Sequence, residues 1–286
     1  MGRYCRILVA FDGSDSSKNA LRQAIKLARA EKTPVKALSV MPSYEGDLEL
    51  VGVRKIKEAM RGQADAILAD ALEVAKAEGA TISTGAESGV AYERIVDAAE
   101  TESCDLIVMG RRGARRLERM LVGSVTARVI GHSRCDVLVV PRGASVGWDN
   151  ITVAVDGSRY GDIALERAMD FAKSYGGKVA AVSVVEVNEE FYAQAPETVE
   201  RMVGSAKALM DELKRKAHAQ GIDMETHVRE GEPHRWIIEI AKATQAGVIF
   251  MGSHGRTGLR RLLMGSVAEK VIGLSEVPVL VAKSGL

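Results

Sequence analysis

The sequence predicts an α/β protein built from two repeated open parallel five-stranded sheets, each with helices on both faces. Three observations predict it. The chain has 286 residues, enough for about two domains at roughly 100–200 residues each. Its two halves match each other in order from start to end. Within each half, short apolar runs alternate with longer helical patterns, which is how a parallel sheet with crossover helices reads.

The repeat is visible in the letters. Ile7–Ser14 reads ILVAFDGS and Ile151–Ser158 reads ITVAVDGS, an offset of 144. Leu106–Gly113 (LIVMGRRG) matches Val248–Gly255 (VIFMGSHG), and Leu121–Val125 (LVGSV) matches Leu263–Val267 (LMGSV), now at an offset of 142. The closing run Val137–Val140 (VLVV) matches Val279–Ala282 (VLVA). A net loss of two residues between the early and late motifs of the second copy accounts for the change of offset. Two homologous domains follow, residues 1–141 and 149–286, joined by a short linker over 142–148 whose small residues are those of a flexible connection.

The elements of the first copy follow in order. Arg6–Phe11 is a short apolar run and reads as a buried strand. Asp12-Gly13-Ser14-Asp15 supplies turn and N-cap chemistry, and Ala20, Leu21, Ala24, Ile25 and Ala28 then fall at helical spacing. Val35–Val40 is a second strand. Residues 54–78 form a charged, Ala-rich helix with Ile67, Leu68, Ala71, Leu72 and Ala75 on one face. Thr81–Gly85 is a third strand, Tyr92–Thr101 a helix and Leu106–Met109 a fourth strand. A Gly-rich loop leads into a helix from Ser124 to Ile130, and Val137–Val140 closes the copy. The second copy gives the same series.

Composition narrows the function. Hydrophobic residues make up 47% and charged residues 27%, so each half can build a core. A net charge of +1 gives no broad basic footprint for DNA, and 4% aromatics leave few platforms for stacking bases. No nucleic-acid partner is expected. No apolar stretch approaches the ~20 residues of a membrane span, and no signal-peptide pattern opens the chain. Cys5, Cys104 and Cys135 are too few and too scattered for a disulfide framework, so a cytoplasmic setting is expected.

The chemistry gathers where strands end. In open parallel sheets, ligands bind beyond the carboxyl ends of the strands at a topological switch point. Asp12 and Asp156 follow the first strand of each copy, and Gly110 and Gly252 close the fourth. Gly110, Gly113, Gly123 and Ser124 stand in the pattern G-x2-G-x9-G-S, and Gly252, Gly255, Gly265 and Ser266 repeat it at the same spacing. Glycines let backbone N–H groups approach an anion, and Gly-Ser opening a helix adds free N–H groups, a favourable dipole and a hydroxyl.

The strand–DGS start, this glycine pattern and the closing VLVV strand resemble the universal stress protein family, once per repeat and over essentially the whole chain. The glycine pattern is similar to that of the family's ATP-binding branch. The resemblance implies a Rossmann-like fold, akin to adenine nucleotide alpha-hydrolases, with ATP and its Mg²⁺ at the strand ends. It places Asp12 and Asp156 at the adenosine end, and the backbone of Val40 and Val184 against adenine. It places Gly110, Arg111, Gly113, Gly123, Ser124 and Val125 around the phosphates of the first site. For the second site it gives Gly252, Ser253, Gly255, Gly265, Ser266 and Val267. It also implies pairing of the two domains within the chain through Val137–Val140 and Val279–Ala282, and allows a homodimer.

Plainer readings stand beside these. Asp12 and Asp156 also suit a plain turn or helix-capping role. Gly89 and Gly231, at matching positions before a helix, read as structural. Arg111, Arg112, Arg115, Arg116 and Arg119 form either a solvated loop or a phosphate contact, and Arg256, Arg260 and Arg261 occupy the same segment of the second copy. His132 and Cys135 lack a second pair for a metal site. His254 lies in the phosphate loop and has no assigned catalytic role. No Walker A lysine pattern and no strand-following G-x-G-x-x-G occur. The functional expectation is a tandem nucleotide-responsive stress or signalling protein. The alternatives are a slow ATPase or autophosphorylating enzyme, and a nucleotide-free interaction scaffold.

Overall fold

Ile7, Leu8 and Val9 are fully buried, as an apolar run sandwiched between helices must be. They form β1 (Ile7–Ala10), the central strand of the first unit. The computed structural model describes residues 3–43, 53–113, 122–255 and 264–284, with backbone alone for 53–60. The chain divides into two units, one ending at Ala144 and one running from Ser145 to Ser284.

The first unit continues with α1 (Asp15–Glu31), β2 (Val35–Met41), α2 (Val53–Ala77), β3 (Ser83–Ser88), α3 (Ala91–Thr101), β4 (Leu106–Gly110), α4 (Ser124–His132) and β5 (Asp136–Val140). The second holds β6 (Asn150–Ala154), α5 (Arg159–Tyr175), β7 (Lys178–Val185), α6 (Glu189–Gln194), α7 (Pro196–Ala219), β8 (Met224–Glu230), α8 (Pro233–Ala243), β9 (Val248–Gly252), α9 (Ser266–Leu274) and β10 (Val279–Ala282). Strand order is β3-β2-β1-β4-β5 in the first unit and β8-β7-β6-β9-β10 in the second, with parallel pairing throughout each. The chain moves outward from β1 to β3 and then returns to the other side of β1. The crevice between β1 and β4, and between β6 and β9, is therefore the switch point of each sheet.

Local chemistry sets the helix that follows each first strand. Ser14 caps α1 by accepting from the Ser17 N–H at 3.2 Å, and Ser158 caps α5 by accepting from the Gly161 N–H at 3.1 Å. α1 buries Ala20, Leu21, Ala24 and Ile25, and α5 buries Ala164, Leu165, Ala168 and Phe171. The long helices match as well. Ala64, Leu68, Ala71 and Ala75 are buried on α2, and Ala206, Met210, Leu213 and Ala217 are buried on α7, each pair 142 residues apart. β2 and β7 still run at the offset of 144, so the two-residue difference falls in the connection between strand and long helix.

Two elements depart from the sequence reading. The third strand, expected at Thr81–Gly85, is β3 at Ser83–Ser88. It is an edge strand with no fully buried residue, so hydrophobicity carries no signal for its limits. The second copy also has a short helix that the sequence reading did not include, α6, capped by the Asn188 Oδ1, which accepts from the Phe191 N–H at 2.7 Å.

Candidate functional site

Each first strand ends in an aspartate whose carboxylate folds back on its own turn. Asp12 Oδ1 accepts from the Ser14 N–H at 3.1 Å and from the Ser14 hydroxyl at 2.6 Å. Asp156 Oδ1 accepts from the Ser158 N–H at 3.0 Å. This is the side-chain turn that Asp and Ser favour at such positions. The other carboxylate oxygen of each faces the glycine loop. A Cβ on Gly113 would stand 2.5 Å from Asp12 Oδ2, and one on Gly255 would stand 2.8 Å from Asp156 Oδ2. The aspartate and the second glycine of the pattern are thus in direct contact across the crevice.

Space, rather than backbone conformation, is what the first glycine of each pattern provides. Its φ is not positive. A Cβ on Gly110 would approach the Ser16 carbonyl carbon to 2.9 Å, and one on Gly252 would approach the Tyr160 carbonyl carbon to 2.8 Å. These two residues let the end of β4 or β9 lie against the first turn of α1 or α5. Part of the glycine pattern is therefore required by the fold itself, whatever the site holds.

The loop then closes on itself. The Gly123 N–H donates to the Arg111 carbonyl at 3.0 Å, and the Gly265 N–H donates to the Ser253 carbonyl at 2.8 Å. This brings the first turn of α4 or α9 beside the loop. Gly123 and Gly265 are the N-cap residues and supply no side-chain cap. Among the described residues, the leading N–H groups of Ser124 and Val125, and of Ser266 and Val267, have no capping side chain to bond. In the first unit the Thr126 hydroxyl donates to the Gly110 carbonyl at 3.1 Å. Ala268 replaces it in the second.

Val40 and Val184 sit opposite this loop. Phe11 donates to the Leu38 carbonyl at 2.9 Å, and Val155 donates to the Val182 carbonyl at 2.8 Å. Peptide groups alternate along a strand, so those of Val40 and Val184 face the same side two residues on, past the end of β1 or β6. The intervening face is used by the neighbouring strand: the Gly89 N–H donates to the Met41 carbonyl and the Gly231 N–H to the Val185 carbonyl. Val40 and Val184 thus present main-chain donors and acceptors to the crevice.

In the second unit these parts surround a cavity of about 710 Å³. Asp156, Val184, Gly252, Gly255, Gly265, Ser266 and Val267 all line it. Ser253 does not: it is 2% exposed, and its hydroxyl lies 3.1 Å from His254 Nδ1. His254 takes the lining position instead, with its ring 5.5 Å from that of Tyr160. Sequence reasoning also missed Thr198, Arg201 and Ser205, which line the cavity from α7. Their signal was faint, because nothing in the spacing of α7 says which of its faces covers the strand ends.

The equivalent positions in the first unit are Asp12, Val40, Gly110, Gly113, Gly123, Ser124 and Val125. Arg111 and Arg112 are partly exposed there, and Arg112 Nε is buried without a hydrogen-bond partner among the described residues. The arginines at 115, 116, 119, 256, 260 and 261 lie outside the described residues. No helix among the described residues is long and apolar enough to cross a membrane.

Comparison with known proteins agrees with this architecture. A universal stress protein of Mycolicibacterium smegmatis is 27% identical over 291 residues, covering 97% of this chain and 96% of that one. The crystal structure of a universal stress protein from Archaeoglobus fulgidus is 26% identical, covers 98% of this chain and 96% of that one, and superposes with a TM-score of 0.75. A universal stress protein of Methanocaldococcus jannaschii is 34% identical over 140 residues, covering 48% of this chain and 82% of its own. The universal stress protein family itself matches twice, at residues 3–141 and 147–283, and the chain belongs to that family as a tandem member.

Proposed function

We propose that each repeat holds an adenine nucleotide, ATP with Mg²⁺, at the carboxyl ends of its strands, and that the chain works as a nucleotide-responsive stress or signalling protein. The observation that carries this reading is the cavity of the second unit. Its volume of about 710 Å³ falls within the roughly 300–1,000 Å³ of small-molecule sites. One end offers the Val184 peptide and the Asp156 turn, suited to the base and ribose of a nucleoside. The other offers Gly252, Gly255, Gly265 and the uncapped N–H groups of Ser266 and Val267, suited to phosphates. Ser124 and Ser266 add hydroxyl donors. Mg²⁺ would ride on the phosphates, since the described residues hold no group of three His, Cys, Asp or Glu to bind it. Because α7 and the loop both line the cavity, a bound nucleotide would favour the conformers in which the two close on it, and so alter the surface offered to partners.

The test is a calorimetric titration of the full chain with ATP and Mg²⁺, beside Gly123→Val and Gly265→Val. Two molar equivalents are expected, each variant losing one. A chain that takes up no ATP at millimolar concentration overturns the reading in favour of an interaction scaffold. A single equivalent assigns the silent repeat a structural role.

A further inference from the structure

The residues that roof the second site have counterparts of different type in the first repeat. Thr198, Arg201, Met202 and Ser205 fall on one face of α7 and line the cavity. The residues 142 positions earlier are Ile56, Ala59, Met60 and Gln63. Arg201 is therefore a cation with no equivalent in the first repeat. The loops differ in the opposite sense, since Arg111-Arg112 stands in the first repeat where Ser253-His254 stands in the second. At these matched positions the first repeat has guanidinium groups in the turn after β4, and the second has one on α7.

The surroundings of Arg201 leave that guanidinium available. Its Nε lies 3.4 Å from the Glu197 carbonyl and its Nη2 lies 3.3 Å from the Thr198 hydroxyl, both long hydrogen bonds to its own helix. It meets no carboxylate among the described residues. The other charged residues lining the cavity among the described residues are Asp156 and Glu186, so among them Arg201 is the cation on that surface. Two carboxylates alone would repel a phosphate chain, and a guanidinium is the side chain best shaped to pair with one.

We propose that Arg201 is a specificity-determining anion partner of the second repeat, pairing from α7 with the phosphates of the bound nucleotide. The proposal rests on the reading that each repeat holds an adenine nucleotide. It makes the second site selective for nucleotides over nucleosides through a residue outside the glycine pattern.

The experiment uses the full chain with Gly123→Val in place, so that the remaining equivalent is that of the second repeat. ATP and adenosine are each titrated with and without Arg201→Ala. The expected result is a loss of about tenfold for ATP, shrinking at higher salt, with adenosine unchanged. Arg201→Lys, which keeps the charge but not the fork, should lose less for ATP and should again leave adenosine unchanged. Equal losses for ATP and adenosine would mean that Arg201 only packs over the site, and no loss would mean that it plays no part; either overturns the proposal alone. If the wild-type chain takes up no ATP, the nucleotide reading falls and this proposal falls with it.

Discussion

The two repeats support the same loop on different foundations. In the first unit the residue ahead of β1 is Tyr4, whose hydroxyl donates to the buried Asp136 Oδ2 at 2.8 Å, while the Arg3 N–H donates to Glu31. In the second unit the equivalent residue is Trp148, which stacks on Phe171 at 4.4 Å and Tyr175 at 5.6 Å and meets Phe250 at 6.4 Å. One foundation is a set of buried polar bonds and the other a cluster of rings. Yet the strand order, the aspartate turn and the glycine spacing above them coincide. The fold tolerates either foundation because both only have to hold a strand's entry point. The first glycine of the loop tolerates no side chain, because Gly110 and Gly252 lie against backbone, while the two residues after it differ freely between the repeats.

The largest effect expected from this difference is on Trp148→Ala. Removing a partly buried indole from a ring cluster should destabilise the second unit by about 3 kcal/mol. The chain's second tryptophan, Trp236, lies in the same unit and reports its unfolding by fluorescence in urea. A loss under about 1 kcal/mol would show that the ring cluster is not what anchors β6.

A smaller effect is expected from Tyr4→Phe. The ring stays buried and only the hydroxyl is lost, so Asp136, 2% exposed, keeps its carboxylate with one donor fewer. The cost should be about 1–2 kcal/mol. The first unit has no tryptophan, so amide exchange in β1, β4 and β5 is the readout. Unchanged protection there would show the Tyr4–Asp136 bond to be dispensable and would erase the contrast with Trp148.

What the sequence made legible follows the same division. The repeat, the strand order class and the Asp12, Gly110 and Gly123 group were readable because they depend on local spacing and on strongly apolar strands. β3 was misplaced because an edge strand reading STGAES has no buried periodicity to follow. Val40 and Val184 came only from the family resemblance. Their physical reason, a peptide facing past the end of the neighbouring strand, exists only once β1 and β2 are in register. Ser253 and His254 could not be told apart in the letters, since only the turn after β9 decides which one is buried. Arg201 needed the α7 face to be fixed first, although setting Ala59 beside Arg201 already exposes the difference between the repeats.

The smallest expected effect separates the units by alkaline pH. Cys104 and Cys135 are buried in the first unit, where the second has Ala246 and Val277 at positions 142 residues on. Burial, helped by the Glu102 and Cys135 charges, pushes the Cys104 thiol from 9.0 up to about 12. Burial also raises Cys135, with the Ser133 hydroxyl opposing it. The folded unit therefore holds its thiol protons more tightly than the unfolded chain. Well below pH 9 both states are protonated and nothing is lost; as pH rises through 9 toward about 12 only the unfolded chain releases protons, so stability falls. At pH 9 the loss for Cys104 is about 0.4 kcal/mol, growing toward about 1.4 kcal/mol for each further unit. Urea unfolding of the first unit from pH 8 to 10, with and without Cys104→Ala, reads it, and the variant should flatten the slope. An unchanged slope would place the alkaline sensitivity elsewhere, in the tyrosines and lysines that both units carry. The buried thiols would then be no more than packing, interchangeable with the alanine and valine of the second repeat.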